Sequence, residues 1–225
     1  MSSYLSSIQL GGGVPGGAEA AVHSLRRYAN TMADDDIIVK LDFANAFNTI
    51  RRDTLMESIA KLIPQIYCFV HATYCGEPIL QFMNRIIRSL ESPQQGDPLA
   101  SLEFFCSIHP LLQRFVAELR LGFMDDITLA GKSSTVAQYV NFIKEAGAQL
   151  GLRLNSSKCE IISKNTTKQF ESSAFEGFQR IELDHLCLLG APILRGPVTT
   201  IVSGRSVSNE TKESQDYQCS KLMMQ

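Results

Sequence analysis

The sequence predicts an α+β fold, a ferredoxin-like βαββαβ antiparallel sheet packed on helices. Three observations carry this reading. The apolar run IIVKLDFA (37–44) reads as a buried strand. LGFM and ITLAG read as two short strands joined at Asp125–Asp126. Segments of helical period lie between and after these strands, giving the order strand, helices, strand, strand, helix, strand.

Each element has its own signal. Ala18, Ala20, Ala21, Val22, Leu25 and Tyr28 recur at helical spacing, and Arg26 and Arg27 are placed for the last turn, where cations suit the helix dipole. Asp34, Asp35 and Asp36 then interrupt the pattern as an acidic turn. After the strand at 37–44, Thr54 and Glu57 predict a capping box for a helix with Leu55, Ile59 and Leu62 on its apolar face and Pro64 past its end. A further helix is expected over IYCFVHATY, stopped by Gly76. ILQFMN and IIRSLE predict a hairpin around Asn84–Arg85. A long amphipathic helix is expected from Leu99 to Leu119, and another over 134–150 with Gly151 as its C′ residue. LRLN and CEIIS are strand-like. The polar, aperiodic stretch from Ser203 predicts disorder. The resulting division is a lead-in with one helix over 1–36, the folded domain over 37–195 and a tail over 196–225.

Composition narrows the class. The chain has 225 residues, 44 % of them apolar, which is enough for one sizeable core. No stretch approaches the roughly 20 apolar residues of a membrane span. The N-terminus lacks the charged and apolar regions of a signal peptide, so an intracellular location, cytoplasmic or nuclear, is expected. The six cysteines form no CxxC pair and are expected to be free buried thiols. The four histidines read as packing or surface residues. The net charge of −2 is low for a nucleic-acid partner, whose phosphates call for Lys and Arg.

Three acidic residues stand against apolar neighbours: Asp42 at the end of its strand, and Asp125 and Asp126 at a hairpin tip. Singly, each is a common turn or cap residue. In a βαββαβ sheet, however, the first strand lies beside the central hairpin, which can bring Asp42 and Asp125 side by side with Asp126 next to them. Three hard oxygen donors favour magnesium, which takes carboxylates plus substrate phosphates. Two such ions, about 4 Å apart, support in-line phosphoryl displacement. GGGVPGG lacks both GK[ST] and GxGxxG and reads as a flexible lead-in to the first helix.

Five segments in order complete the pattern. VKLDFANAF resembles motif A of reverse transcriptases, SPQQGDPLASLEF motif B, GFMDDITLAG motif C, GLRLNSSKCEII motif D and CLLGAPI the primer-grip motif E. The QQGDPL run is most similar to retroelements without long terminal repeats. The resemblance implies a reverse-transcriptase palm and an RNA-directed DNA polymerase that uses two magnesium ions, or manganese, with an RNA template, a DNA primer and deoxynucleoside triphosphates. It implies that Asp42, Asp125 and the Phe43 carbonyl hold the metals, with Asp126 supporting them. Phe47 would be the steric gate against ribose, although the residues alone read it as a core aromatic. Gln95 and Gly96 would meet the nascent base pair, although Asp97 and Pro98 also read as a plain helix start. Lys158 would serve the leaving pyrophosphate, and Leu189 and Gly190 would seat the primer end. The resemblance begins late, so 1–36 is expected to hold at most the last helix of the fingers, and little chain follows motif E for a thumb. Low activity of the chain by itself is therefore expected. The competing reading is an inert palm fragment acting as an interaction module. Phe47 and the FMDD turn speak against an RNA polymerase.

Overall fold

The structure, a computed structural model, describes residues 8–76, 79–89, 91–94, 96–114, 117–165 and 173–194. Gln95, Cys219 and the tail expected to be disordered lie outside the described residues.

Helix α1 (Gly17–Thr31) leads into strand β1 (Asp36–Leu41). A short helix α2 (Ala46–Thr49) is followed by α3 (Arg52–Leu62), α4 (Pro64–Tyr74) and the hairpin β2 (Ile79–Phe82) and β3 (Arg85–Arg88). Helix α5 (Ala100–Gln113) precedes β4 (Leu119–Phe123) and β5 (Asp126–Lys132). Helix α6 (Ser133–Gln149), β6 (Glu160–Ile162), β7 (Gln179–Ile181) and the small hairpin β8 (Cys187–Leu188) and β9 (Ala191–Pro192) complete the chain. The main sheet has the order β4-β5-β1-β6-β7. All its neighbours are antiparallel except β6 and β7. Its first four strands have the connectivity the sequence predicts, and β7 is an addition at one edge.

Period-2 alternation gives this sheet two apolar faces. Ile37, Val39, Leu41, Ile127, Leu129 and Ile161 pack with Phe104 and Ile108 of α5 and with Val136, Tyr139 and Val140 of α6. On the opposite face Ile38, Leu121, Ala130 and Ile162 pack with Ala21, Val22 and Leu25 of α1 and with Leu186, Leu188 and Ile193 around the β8–β9 hairpin. Burial on both sides explains why 37–41 is a continuous apolar run broken only by Lys40.

Several local expectations are corrected. Helix α3 starts at Arg52, because the Arg51 amide is already committed to the Leu150 carbonyl at 2.9 Å. Thr54 therefore lies inside the helix and forms no capping box. Pro64 follows the end of α3, as expected, and it also opens α4, since a first-turn proline lacks only an N–H that would have had no partner. Arg26 and Arg27 are not in the last turn of α1. Arg26 instead donates to the carbonyls of Ile193 at 2.8 Å and Pro192 at 3.0 Å. Helix α5 stops at Gln113, short of 119, because residues 119–123 are taken by β4, and Arg120 turns back to cap the Leu112 carbonyl at 3.1 Å. LRLN contributes only a bridge between Phe43 and Leu154. Ahead of the glycine-rich stretch, Ile8 and Gln9 are buried, and Gln9 bridges to Gly122 on the edge strand. Of the cysteines, Cys106 and Cys159 are buried, whereas Cys68, Cys75 and Cys187 are exposed, and all five are free. Among the described residues, no helix is long and apolar enough to cross a membrane.

Gly151, expected just past helix α6, has φ +86°, and a Cβ there would stand 2.4 Å from the Thr49 carbonyl oxygen. Both the left-handed backbone and the contact with main chain exclude a side chain. Gly151→Ala is expected to lower stability by about 2 kcal/mol or more, read from urea denaturation.

Candidate active site

The register of β1 against β5 builds the site. Leu41 pairs with Ile127, so the next step outward sets Asp42 across from Asp126. Asp42 and Asp126 line one cleft. The hairpin turn falls on Met124–Asp125, and Asp126 already pairs with Phe123 as the first residue of β5. Met124 takes φ +58°, the left-handed conformation that a two-residue hairpin turn demands.

The backbone at Asp42 is held from the far side. Its carbonyl accepts from the Asn155 amide at 2.9 Å, and its amide donates to the Cys159 sulfur at 3.4 Å. The Ala44 amide donates to the Arg153 carbonyl at 2.8 Å, and the Phe43 ring is buried in the core. These bonds make the bridge around Phe43 without using the Phe43 carbonyl.

Because side chains alternate along a strand, Lys40, Asp42, Asp126 and Glu160 come to one face at the end of the sheet not covered by α1. With Leu41, Lys158 and Gln179 they line a cleft of about 330 Å³. Lys40 and Glu160 are direct cross-strand partners and form an ion pair of 2.7 Å, each side chain 27 % exposed. Asp126 stands at the lip of this cleft, and its carboxyl is held above the ordinary aspartate range. Partial burial is the largest cause, followed by the Asp125 carboxylate; Asp42 and Glu160 add to it, and Lys40 works against it. Mutual repulsion of this kind is relieved by a cation.

Sequence reasoning missed Lys40, Glu160 and Gln179. The first was readable, since Lys40 lies two residues before Asp42 and must share its face. No group of three His, Cys, Asp or Glu side chains among the described residues is preassembled to hold a metal ion. The donor set nevertheless suits magnesium, which is commonly bound by one or two carboxylates together with substrate phosphates.

Of the remaining residues singled out in the sequence, Lys158 lines this cleft and the others described lie elsewhere. Lys158 lines it, exposed, with its amide bonded to the Asn155 carbonyl at 2.9 Å. Phe47 is half-buried on α2, its ring centroid 5.7 Å from that of Phe104, so it packs at the margin of the core. Gly96 is exposed with φ +92° and open space where a Cβ would stand. Leu189 and Gly190 form the β8–β9 turn, with φ of 51° and 78°. They sit over the α1 face and do not line the cleft.

The loop before α5 is anchored by residues that carry no sequence signal for the task. Arg52 donates to the Ser89 carbonyl at 2.6 Å, the Ser89 hydroxyl at 3.1 Å, the Glu91 carbonyl at 3.0 Å and, through two nitrogens, the Ser92 carbonyl at 3.1 and 2.8 Å. Its guanidinium also lies 4.8 Å from the Tyr74 ring centroid. The Tyr74 hydroxyl donates to Asp97 and accepts from the Gln94 amide at 3.1 Å. Asp97 in turn receives the Leu99 amide at 2.8 Å, one step ahead of the helix-start role expected of it. Behind this network Glu103 is 1 % exposed with neither carboxyl oxygen hydrogen-bonded. Burial, then Asp97, pushes its pKa up from 4.5 to about 7, with Arg52 opposing.

The comparisons agree with this geometry. The profile of the family described as reverse transcriptase (RNA-dependent DNA polymerase) matches residues 7–190. No curated protein matches the chain. Among solved structures, apo telomerase from Candida tropicalis superposes with a TM-score of 0.52 at 14 % identity, over 67 % of this chain and 33 % of that one. Telomerase from Candida albicans, in complex with a TWJ fragment of telomeric RNA, gives 0.52 at 13 % identity over 76 % of this chain and 33 % of that one. The chain thus spans about a third of the length of these telomerases, and the likeness at such identity is one of fold.

Glu103 yields a pH prediction. In the folded state the group keeps its proton up to about 7, whereas in the unfolded chain it ionises near 4.5. The folded state therefore binds more protons between those values, and stability falls as pH rises through that window, by about 3 kcal/mol. Glu103→Gln is expected to flatten that fall in denaturation curves collected from pH 4.5 to 8. A family profile over most of the chain, a four-strand core of the predicted connectivity and facing aspartates at its open end are consistent with one assignment: the chain belongs to the reverse transcriptase (RNA-dependent DNA polymerase) family.

Proposed function

We propose that the cleft between β1, β5 and β6 is the polymerase centre of an RNA-directed DNA polymerase, which adds deoxynucleotides to a primer 3′-hydroxyl on an RNA template. The observation that carries this is the register that sets Asp42 opposite Asp126 at a cleft also lined by Lys158, inside a domain matched by the family profile. The likeness of fold to the telomerases is in keeping with it.

Asp42, Asp125 and the uncommitted Phe43 carbonyl would hold two magnesium ions, with Asp126 in support. Bound there, the ions would lower the pKa of the attacking hydroxyl and offset charge on the leaving pyrophosphate. The chain's own residues do the rest. The Lys40–Glu160 ion pair keeps the Lys40 ammonium turned toward Glu160, so that the aspartates remain free for cations. Lys158, exposed at the cleft, is free to meet the leaving phosphates and supply charge or a proton. Phe47 packs against Phe104, so its ring is fixed where a gate residue must be rigid. Gly96, with no side chain and open space around it, lets main chain approach a base pair. Leu189 and Gly190 would contact the primer end. The non-LTR retroelement resemblance gives the subgroup.

Primer extension on an RNA template with magnesium tests this. Asp42→Asn and Asp125→Asn are each expected to reduce incorporation by at least about a hundredfold without unfolding the protein, since each removes a metal carboxylate. Incorporation at the wild-type rate in either variant refutes the metal assignment. Phe47→Ala is expected to raise ribonucleotide use relative to deoxynucleotide use, and unchanged sugar selectivity removes the gate role.

A further inference from the structure

We propose that Gln9 is a positioning residue for the Asp125–Asp126 hairpin, holding the peptide from which the Asp125 carboxylate projects. This rests on the reading of the cleft as the polymerase centre.

Gln9 is wholly buried, at 0 % exposure, on the outer side of β4. It is locked there by main chain: the Leu10 amide donates to the Gly122 carbonyl at 2.7 Å, and the Gly122 amide to the Ile8 carbonyl at 2.8 Å. From this seat the Gln9 side chain runs past Gly122, and its Nε2 donates to the Met124 carbonyl at 3.2 Å. The absence of a side chain at residue 122 leaves room for this path, since a Cβ there would come 3.1 Å from Nε2 and push it aside.

The bonded atom is what gives the contact its meaning. The Met124 carbonyl and the Asp125 amide belong to one planar peptide unit. Fixing that oxygen fixes the orientation of the Asp125 backbone, and the plane it fixes is one that Met124 enters at φ +58°, a conformation a long side chain adopts reluctantly. A flipped side-chain amide would set two acceptors face to face, so the donor must point at Met124. Gln9 Oε1 has no hydrogen-bond partner among the described residues. An apolar side chain of the same length would fill the space without burying that oxygen unsatisfied, so packing alone does not account for a glutamine.

Two variants of the full chain test the inference. Gln9→Met keeps length and removes the donor. Gln9→Glu keeps shape, opposes the Met124 carbonyl when ionised and regains a donor when protonated. Hydrogen-exchange protection of the Asp126 amide, which closes the hairpin opposite Phe123, is expected to drop relative to the Ile38 amide in Gln9→Met by roughly three- to tenfold, the weight of one hydrogen bond. In Gln9→Glu it is expected to be low at neutral pH and to recover on acidification, a response that lost packing would not give. Manganese titration followed by electron paramagnetic resonance, with Asp42→Asn as the control for the cleft, is expected to show a similar loss of affinity in Gln9→Met. Unchanged protection of the Asp126 amide in both variants overturns the proposal even if manganese binds. Manganese binding that is the same in the wild type and in Asp42→Asn overturns the polymerase reading of the cleft, and Gln9 is then judged by exchange alone. If Gln9→Met does not fold, the acid recovery in Gln9→Glu decides.

Discussion

The pairing of Leu41 with Ile127 is the constraint on which the rest of the structure depends. An antiparallel ladder has a side-chain period of two, so a slip of one residue would turn Asp42 into the helical core and bring Phe43 to the cleft. This register is fixed by the burial of Ile37, Val39 and Leu41 under α5 and α6, and of Ile38 under α1. The hydrophobic core on both faces thus determines which oxygen atoms meet at the sheet's open end.

Charge is distributed accordingly. The chain as a whole carries −2, but acidity at the cleft is moderated by Lys40, which is tied to Glu160, and by the exposed Lys158. The Asp126 carboxyl is raised first by its partial burial and then by the Asp125 carboxylate, with Lys40 opposing.

The sequence disclosed much of this because the relevant signals are local and periodic. The continuous apolar run along 37–41, the tight turn at the Asp-Asp pair and the glycine after α6 each act within a few residues. Asp42 was visible as an acid ending an apolar strand. What stayed hidden depends on partners far along the chain. Asp126, which lines the cleft with Asp42, begins β5 because the turn falls on Met124–Asp125, a placement the Asp-Asp pair alone leaves open. The seating of Ile8 and Gln9 on β4 has no periodicity to betray it, because only two or three residues pair. The end of α5 was misjudged because residues 114–119 continue a helical pattern that the edge strand overrides.

The fan of bonds from Arg52 has a consequence for mutational tolerance. Four of its five contacts end on main-chain oxygens, which every amino acid provides. The composition of the stretch between β3 and α5 can therefore drift while its shape is kept. The burden of fidelity falls on a single guanidinium, whose spread of donors a lysine cannot reproduce.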